Sequence, residues 1–259
     1  MNIKQRILKF VKLLMLIVAI TSTAIYFYSK YKERKAIYLA QEYLSSKYMQ
    51  EMQYRDITFL WLYDVGYRVS FNPVNNLDLI FFVNISADTG NSQNESYVRD
   101  GFAISDTYLS DTYSFYTNKV VEGMADTIWK NSKTYVIAFS DRSRNEKPHE
   151  LMTVEEMEFY FNYKFHITTN RLLNNQSKNE EAYRVLMMIQ QVQASRYQPE
   201  EILFYYLTGK DASKENVRDI ETSPERMISF DNWMEITTIE QVIAEIDKQY
   251  QFELHTEAQ

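Results

Sequence analysis

The 259-residue chain has no cysteine, five glycines, four prolines and three histidines. Without cysteine there are no disulfides, no thiol catalysis and no Cys-ligated zinc. Nor can the chain be a lipoprotein, which needs a cysteine to carry its acyl group. The same absence argues against a eukaryotic secreted protein, where disulfides are usual. Scarce glycine leaves no phosphate-cradling loop. His149, His166 and His255 stand at no metal-ligating spacing, and His149-Glu150 has no second histidine one helical turn away, so there is no zincin motif. There is no Gly-x-Ser-x-Gly elbow. No internal repeat and no low-complexity linker interrupts the chain.

What is present starts with an apolar run. Leu13 to Tyr28 is uncharged, with Lys4, Arg6, Lys9 and Lys12 before it and Lys30, Lys32, Arg34 and Lys35 after it. Sixteen helical residues cover roughly 24 Å, short of the ~30 Å hydrocarbon core of a bilayer. Phe10, Val11 and a snorkelling Lys12 close most of the gap. Tyr26, Tyr28 and Tyr31 suit the far interface, where amphipathic rings collect. These features predict a transmembrane anchor over residues 13–28, with 1–12 as a cytoplasmic tail resembling a signal n-region. Ser22-Thr23-Ala24 would permit cleavage after Ala24, but Ile25 to Tyr28 continues the apolar run, so an uncleaved anchor is the expectation. The lipid bilayer is then the partner of Leu13–Tyr28, and the bulk of the chain is extracytoplasmic. Residues 1–35 carry eight Lys/Arg and one Glu, hence +7, while the whole chain is −7, which leaves −14 on residues 36–259. Such a body repels nucleic acid and anionic lipid.

The remaining pattern predicts an α+β protein. Lys30 to Gln53 reads as a helix with Ile37, Ala40, Leu44 and Tyr48 on one stripe, flanked by Ala36, Leu39 and Tyr43. Ile57 to Phe71 alternates, with a turn or bulge expected at Asp64–Gly66, and Leu79 to Ile85 forms the returning strand. Gln93 to Ser105 shows little periodicity. A helix from Leu109 to Ile128 is expected, with Asp106 as its N-cap. Tyr135, Ile137 and Phe139 alternate in a strand. Thr153-Val-Glu-Glu156 and Thr237-Thr-Ile-Glu240 match the capping box, the first opening a helix to about Asn162 and the second the last helix. Between them lie a short strand at Phe165–Ile167, a helix at Asn179–Ser195, and strands at Ile202–Leu207 and Met227–Phe230. The expected division is a first α+β domain at 36–132, a second at 133–252 and a tail at 253–259.

The candidates for chemistry are few. Asp88-Thr89-Gly90 matches the aspartic-protease triplet, but that mechanism needs two aspartates sharing a proton, and no second Asp-Thr-Gly or Asp-Ser-Gly occurs. Asp-Thr-Gly-Asn is ordinary turn chemistry. Glu155, Glu156 and Glu158 could face a cation but lack the alternating Asp/Asn pattern of a calcium loop, and acidic residues in a first helical turn follow from the helix dipole. No catalytic, cofactor-binding or metal residue is therefore assigned.

The helix Ala36-Ile-Tyr-Leu-Ala-Gln-Glu-Tyr-Leu-Ser-Ser-Lys-Tyr48, followed by Trp61 to Pro73 and Leu79 to Ile85, resembles the YfjL-like and PepSY-like membrane-anchored proteins of low-GC bacteria over residues 36–84. The resemblance implies a cystatin-like helix-plus-meander module with no established enzymatic activity, and it carries no catalytic residue across. The expected function is a non-enzymatic binding or regulatory ectodomain. A structural subunit of an envelope complex and an envelope hydrolase using Asp88 are the alternatives.

Overall fold

A computed structural model describes residues 3–48, 50–60, 66–87, 97–99, 101–130, 132–140, 152–207 and 226–256. It is a mixed α+β fold of two compact units, Met1–Tyr108 and Leu109–Gln259.

The first unit is one helix and one antiparallel sheet. Helix α1 runs unbroken from Ile3 to Lys47. At about 1.5 Å per residue its 45 residues span roughly 68 Å. From Phe10 to Tyr31 every residue is exposed, and burial starts at Ala36. Thr21 and Thr23, inside the apolar run, turn their hydroxyls back onto the carbonyls of Ile17, Val18 and Ala19, which satisfies them without water. The sheet comprises β1 (Met52–Leu60), β2 (Gly66–Pro73), β3 (Phe81–Ala87), β4 (Tyr97–Arg99) and β5 (Phe102–Asp106), in the order β1-β2-β3-β5-β4. Ala36, Leu39, Ala40, Tyr43 and Leu44 of α1 are buried, as are Val69, Phe71, Phe81, Val83, Ile85 and Ile104 of the sheet. Each fully buried Phe or Ile among them is worth about 1.5–3 kcal/mol.

Three expectations change here. The helix ends at Lys47, not Gln53, because Met52 to Tyr54 pair with Pro73 to Phe71. Strand pairing overrides the helical pattern of those residues. A bulge between Tyr54 and Asp56 shifts the alternation by one residue. Met52 and Tyr54 before it, and Ile57 and Phe59 after it, consequently share a face. Residues 93–105, read as aperiodic, contain β4 and β5. Arg99 pairs with Phe102 across a two-residue turn that includes Gly101, at φ 75°. The signal was Asp100-Gly101 between short apolar runs, a two-residue hairpin signature. Gly66 answers a different demand: a Cβ there would stand 2.2 Å from the Ile85 carbonyl oxygen. Asp64 and Val65 of the expected turn lie outside the described residues.

The second unit contains α2 (Tyr108–Asp126, all but its first residue), β6 (Lys133–Ser140), a single turn α3 (Val154–Met157), β7 (Phe161–Leu172), α4 (Lys178–Gln193), β8 (Glu201–Leu207), β9 (Arg226–Phe230) and α5 (Ile239–Thr256). Its sheet order is β6-β7-β8-β9. β7 and β8 run parallel through the α4 crossover, and the outer pairs are antiparallel. Helix α2 packs with this sheet. Tyr113 lies against Phe161 and Tyr163, and the Ser114 hydroxyl accepts from the Ala138 amide at 3.1 Å. Asp106 caps this helix as expected, its Oδ1 accepting from the Tyr108 amide at 2.9 Å. β8 buries both faces, with Ile202, Leu203, Phe204 and Tyr206 all hidden, as its parallel neighbour requires.

The capping box at Thr153 and Glu156 forms as read, but α3 stops after one turn. Phe161 already pairs with Ser140, and the alternation Phe161, Tyr163, Phe165, Ile167 is all buried. The second box is displaced by one residue. Gln241 accepts from the Thr238 amide and donates its own amide to the Thr238 hydroxyl, so the pair is Thr238/Gln241 rather than Thr237/Glu240. Tyr135, Ile137 and Phe139 do alternate in β6, but they face outward, Tyr135 at 58% exposure, while Val136 is buried. Helix α5 continues to Thr256, beyond the expected end at residue 252.

Candidate functional site

In the first unit, polar groups converge on Asp106, the last residue of β5. Its side chain is 2% exposed. Oδ2 accepts from the Tyr43 hydroxyl and the Lys47 ammonium, both at 2.7 Å. Oδ1 accepts from the Tyr48 hydroxyl at 2.8 Å and the Tyr108 amide at 2.9 Å. Lys47 also donates to Tyr43 at 2.9 Å and lies over the Tyr43 and Tyr48 rings. The helical spacing of Tyr43 and Lys47 places both on the face of α1 that meets β5. Burial pushes the Asp106 carboxyl up; Lys47, Tyr43 and Tyr48 outweigh it and hold the carboxyl below its ordinary value. Burial first, then the Asp106 charge, pushes both tyrosines well above theirs.

That electrostatic pattern decides what the cluster can do. A general base needs an accessible lone pair and a pKa near neutrality. The Asp106 oxygens accept four hydrogen bonds and are shielded from water, and the tyrosines are shifted away from the phenolate. The cluster is a clamp that ties the end of α1 to β5. It is extended by the Arg99–Glu42 ion pair, the Tyr43–Tyr97 ring contact and Lys35 over the Phe102 ring. Sequence reading placed Asp106 only as a cap. Its side-chain partners, Tyr43, Lys47 and Tyr48, lie some sixty residues away, beyond the reach of any local pattern.

The second unit holds a buried ion pair. Glu181, 1% exposed, bonds Arg184 and accepts from the Trp129 indole at 3.0 Å. This too is a fixed link, joining α4 to the segment after α2.

The residues singled out earlier fall as follows. Asp88, Thr89, Gly90 and His149 lie outside the described residues. His255 is in α5. Glu156 is occupied by the Thr153 cap, and Glu155 and Glu158 pair with Arg196, so the three carboxylates do not converge. Among the described residues, no three His, Cys, Asp or Glu side chains group in a way that could hold a metal ion. His166 sits in β7, stacked on Tyr205 at 5.5 Å and edge-on to Tyr135, with Nδ1 3.0 Å from the Tyr205 hydroxyl. Its Nε2 is buried and has no hydrogen-bond partner among the described residues. Burial depresses its pKa; Glu201 opposes the shift and Lys164 adds to it. A histidine kept neutral in the fold is protonated first in the unfolded chain, so its contribution is present above about pH 6.5 and is lost as pH falls below that. Thermal melting of the full chain is expected to drop between pH 7.5 and 5.5, and His166→Phe should flatten that slope. An unchanged slope would refute the assignment.

No family model matches the chain, and no curated protein matches it. Among solved structures the chain is similar to a DUF5037 family protein from Ruminococcus gnavus ATCC 29149, solved at 2.55 Å. The TM-score is 0.41 and the identity 13%, over 79% of this chain and 96% of that one. A likeness of that size carries no argument about function.

Proposed function

We propose that the protein is a single-pass membrane-anchored binding or regulatory ectodomain, without enzymatic activity, whose N-terminus is cytoplasmic. One observation carries the reading: a single helix, α1, is apolar and exposed from Leu13 to Tyr28 and, further along, buries Ala36, Leu39, Ala40 and Leu44 in a sheet core. It is the one helix among the described residues that is long and apolar enough to cross a membrane. An exposed apolar half with basic flanks is costly in water and favourable in lipid. From Tyr28 to Ala36 is eight residues, roughly 12 Å of helix. The body therefore stands just beyond the headgroups, joined to the anchor without a flexible linker. The Asp106 clamp fixes the helix to the sheet, which suits a module that holds or transmits a position. One helix over an antiparallel meander supports the cystatin-like description and fits the YfjL-like and PepSY-like resemblance. The hydrolase alternative rests on Asp88 alone and the complex-subunit alternative on no contact, so neither is preferred.

An alkaline phosphatase fused after Lys35 tests the orientation. The fusion should be active in cells. An inactive fusion beside an active cytoplasmic reporter at the same position would overturn the reading.

A further inference from the structure

Among the described residues the two sheets have four edges, of which one is short and two are partly covered. β4 has only three residues. β6 is covered at Ala138 by the Ser114 hydroxyl. β9 is covered by Gln249, whose amide takes both the N–H and the C=O of Ser229, at 3.0 and 2.8 Å, as a neighbouring strand would. The fourth edge, β1, is nine residues long. Among the described residues, no group outside β2 bonds to its backbone. An uncovered long edge is a template for another strand, and proteins ordinarily close it.

A groove of about 420 Å³ runs beside this edge, between α1 and the start of β1. Leu44, Phe71 and Met52 give it an apolar floor, and Glu42, Ser45 and Glu51 give it a polar, acidic wall. Its volume is that of a ligand pocket. A strand added to β1 would lie about 4.8 Å beyond it and direct every second side chain to one face. On the α1 side, the side chain beside Met52 would enter the groove.

We propose that β1 and this groove bind an extended, cationic segment of a partner protein by strand addition. Main-chain hydrogen bonds to β1 hold the segment, and an apolar side chain beside Met52 fills the groove. Basic residues are drawn by Glu51 and by the −14 of the body. A second copy of this chain is a poor occupant because it brings the same −14. The Tyr54/Asp56 bulge, with the charged Arg55 and Asp56 on the edge strand, also discourages flat self-pairing. The proposal rests on reading the body as a binding module and names its class of partner.

The test uses the full-length chain in nanodiscs of neutral lipid. The probe is a bead-bound library of nine-residue peptides, with Val, Ile, Leu or Tyr at alternate positions and Lys, Arg or Thr between them. A matched library carries Asp or Glu in place of Lys and Arg. The cationic library should retain the protein at least about tenfold better. Alternate N-methylation of the retained peptides should abolish retention, since strand addition needs their N–H groups. Ser45→Trp, at an exposed helix position, should abolish retention with unchanged melting, and bound peptide should slow hydrogen exchange over Met52–Leu60. Equal retention on both libraries, no retention, or binding indifferent to N-methylation would each overturn the proposal. So would a peptide-free dimer in nanodiscs with Met52–Leu60 already protected, which would make the occupant a second copy. Purified protein binds or fails whichever way it faces in cells, so failure here and failure of the phosphatase fusion are separable.

Discussion

Replacing Leu16 and Ile20 together by arginine is expected to move the protein out of the membrane fraction. Both are exposed residues near the middle of the apolar run, at 56% and 60%. Each arginine at the centre of a spanning helix costs about 2.5–3.5 kcal/mol of insertion free energy. The run is already marginal, with sixteen uncharged residues that need Phe10 and Val11 to approach the hydrocarbon thickness. A loss of about 6 kcal/mol exceeds what such a segment can spare. Carbonate extraction and fractionation give the readout, with the Leu16→Ala/Ile20→Ala pair as a control that should stay in the pellet. The buried core starts at Ala36, so the folded body should survive in either pair. Retention of the double arginine variant in carbonate-washed membranes would mean that something other than this helix holds the protein there.

Asp106→Ala is expected to be among the most destabilising single substitutions in the first unit. It leaves the buried hydroxyls of Tyr43 and Tyr48 without their acceptor, strips Lys47 of its counter-charge and frees the Tyr108 amide. Removing one partner of a buried pair costs about 3–5 kcal/mol. Lys47 is 35% exposed and can recover some hydration, which sets the expectation near the lower end, about 3 kcal/mol. Asp106→Asn keeps the shape and part of the hydrogen bonding, so it should cost less. Urea unfolding gives the total, and hydrogen exchange at the α1 and β5 amides gives the place. A loss under about 1 kcal/mol for the alanine variant would show that the clamp holds little.

Most elements with a strong single period were legible in the sequence. The long apolar N-terminal helix, the Ile202–Leu207 strand, the Lys178–Gln193 helix and the Thr153 box all follow from local signals of spacing, burial run or cap. The errors have a common physical form. Residues 48–53 and 158–162 read as helix because their apolar spacing permits it, yet strand partners elsewhere claimed Met52–Tyr54 and Phe161–Tyr163. The bulge in β1 hid the strand's start because it moves the core-facing residues from even to odd positions. Asp100-Gly101 was a readable hairpin signal, but the apolar runs on either side of it are too short to show a period. The Asp106 clamp and the Glu181–Trp129 link were illegible for a different reason: each joins residues more than fifty positions apart, and no periodicity encodes that. The outward face of Tyr135, Ile137 and Phe139 shows the same limit, since alternation gives a period without saying which face is covered.

The absence of cysteine allows the most direct test of the account. A single cysteine can be placed at Leu16, Tyr38 or Val74 without background. Intact cells are then treated with a membrane-impermeant maleimide. The account predicts labelling at Tyr38 and Val74, which are exposed at 61% and 49%, and none at Leu16 until the protein is denatured out of the bilayer. Labelling of Leu16 in intact membranes, or protection of Tyr38 and Val74 until the cells are lysed, would contradict it.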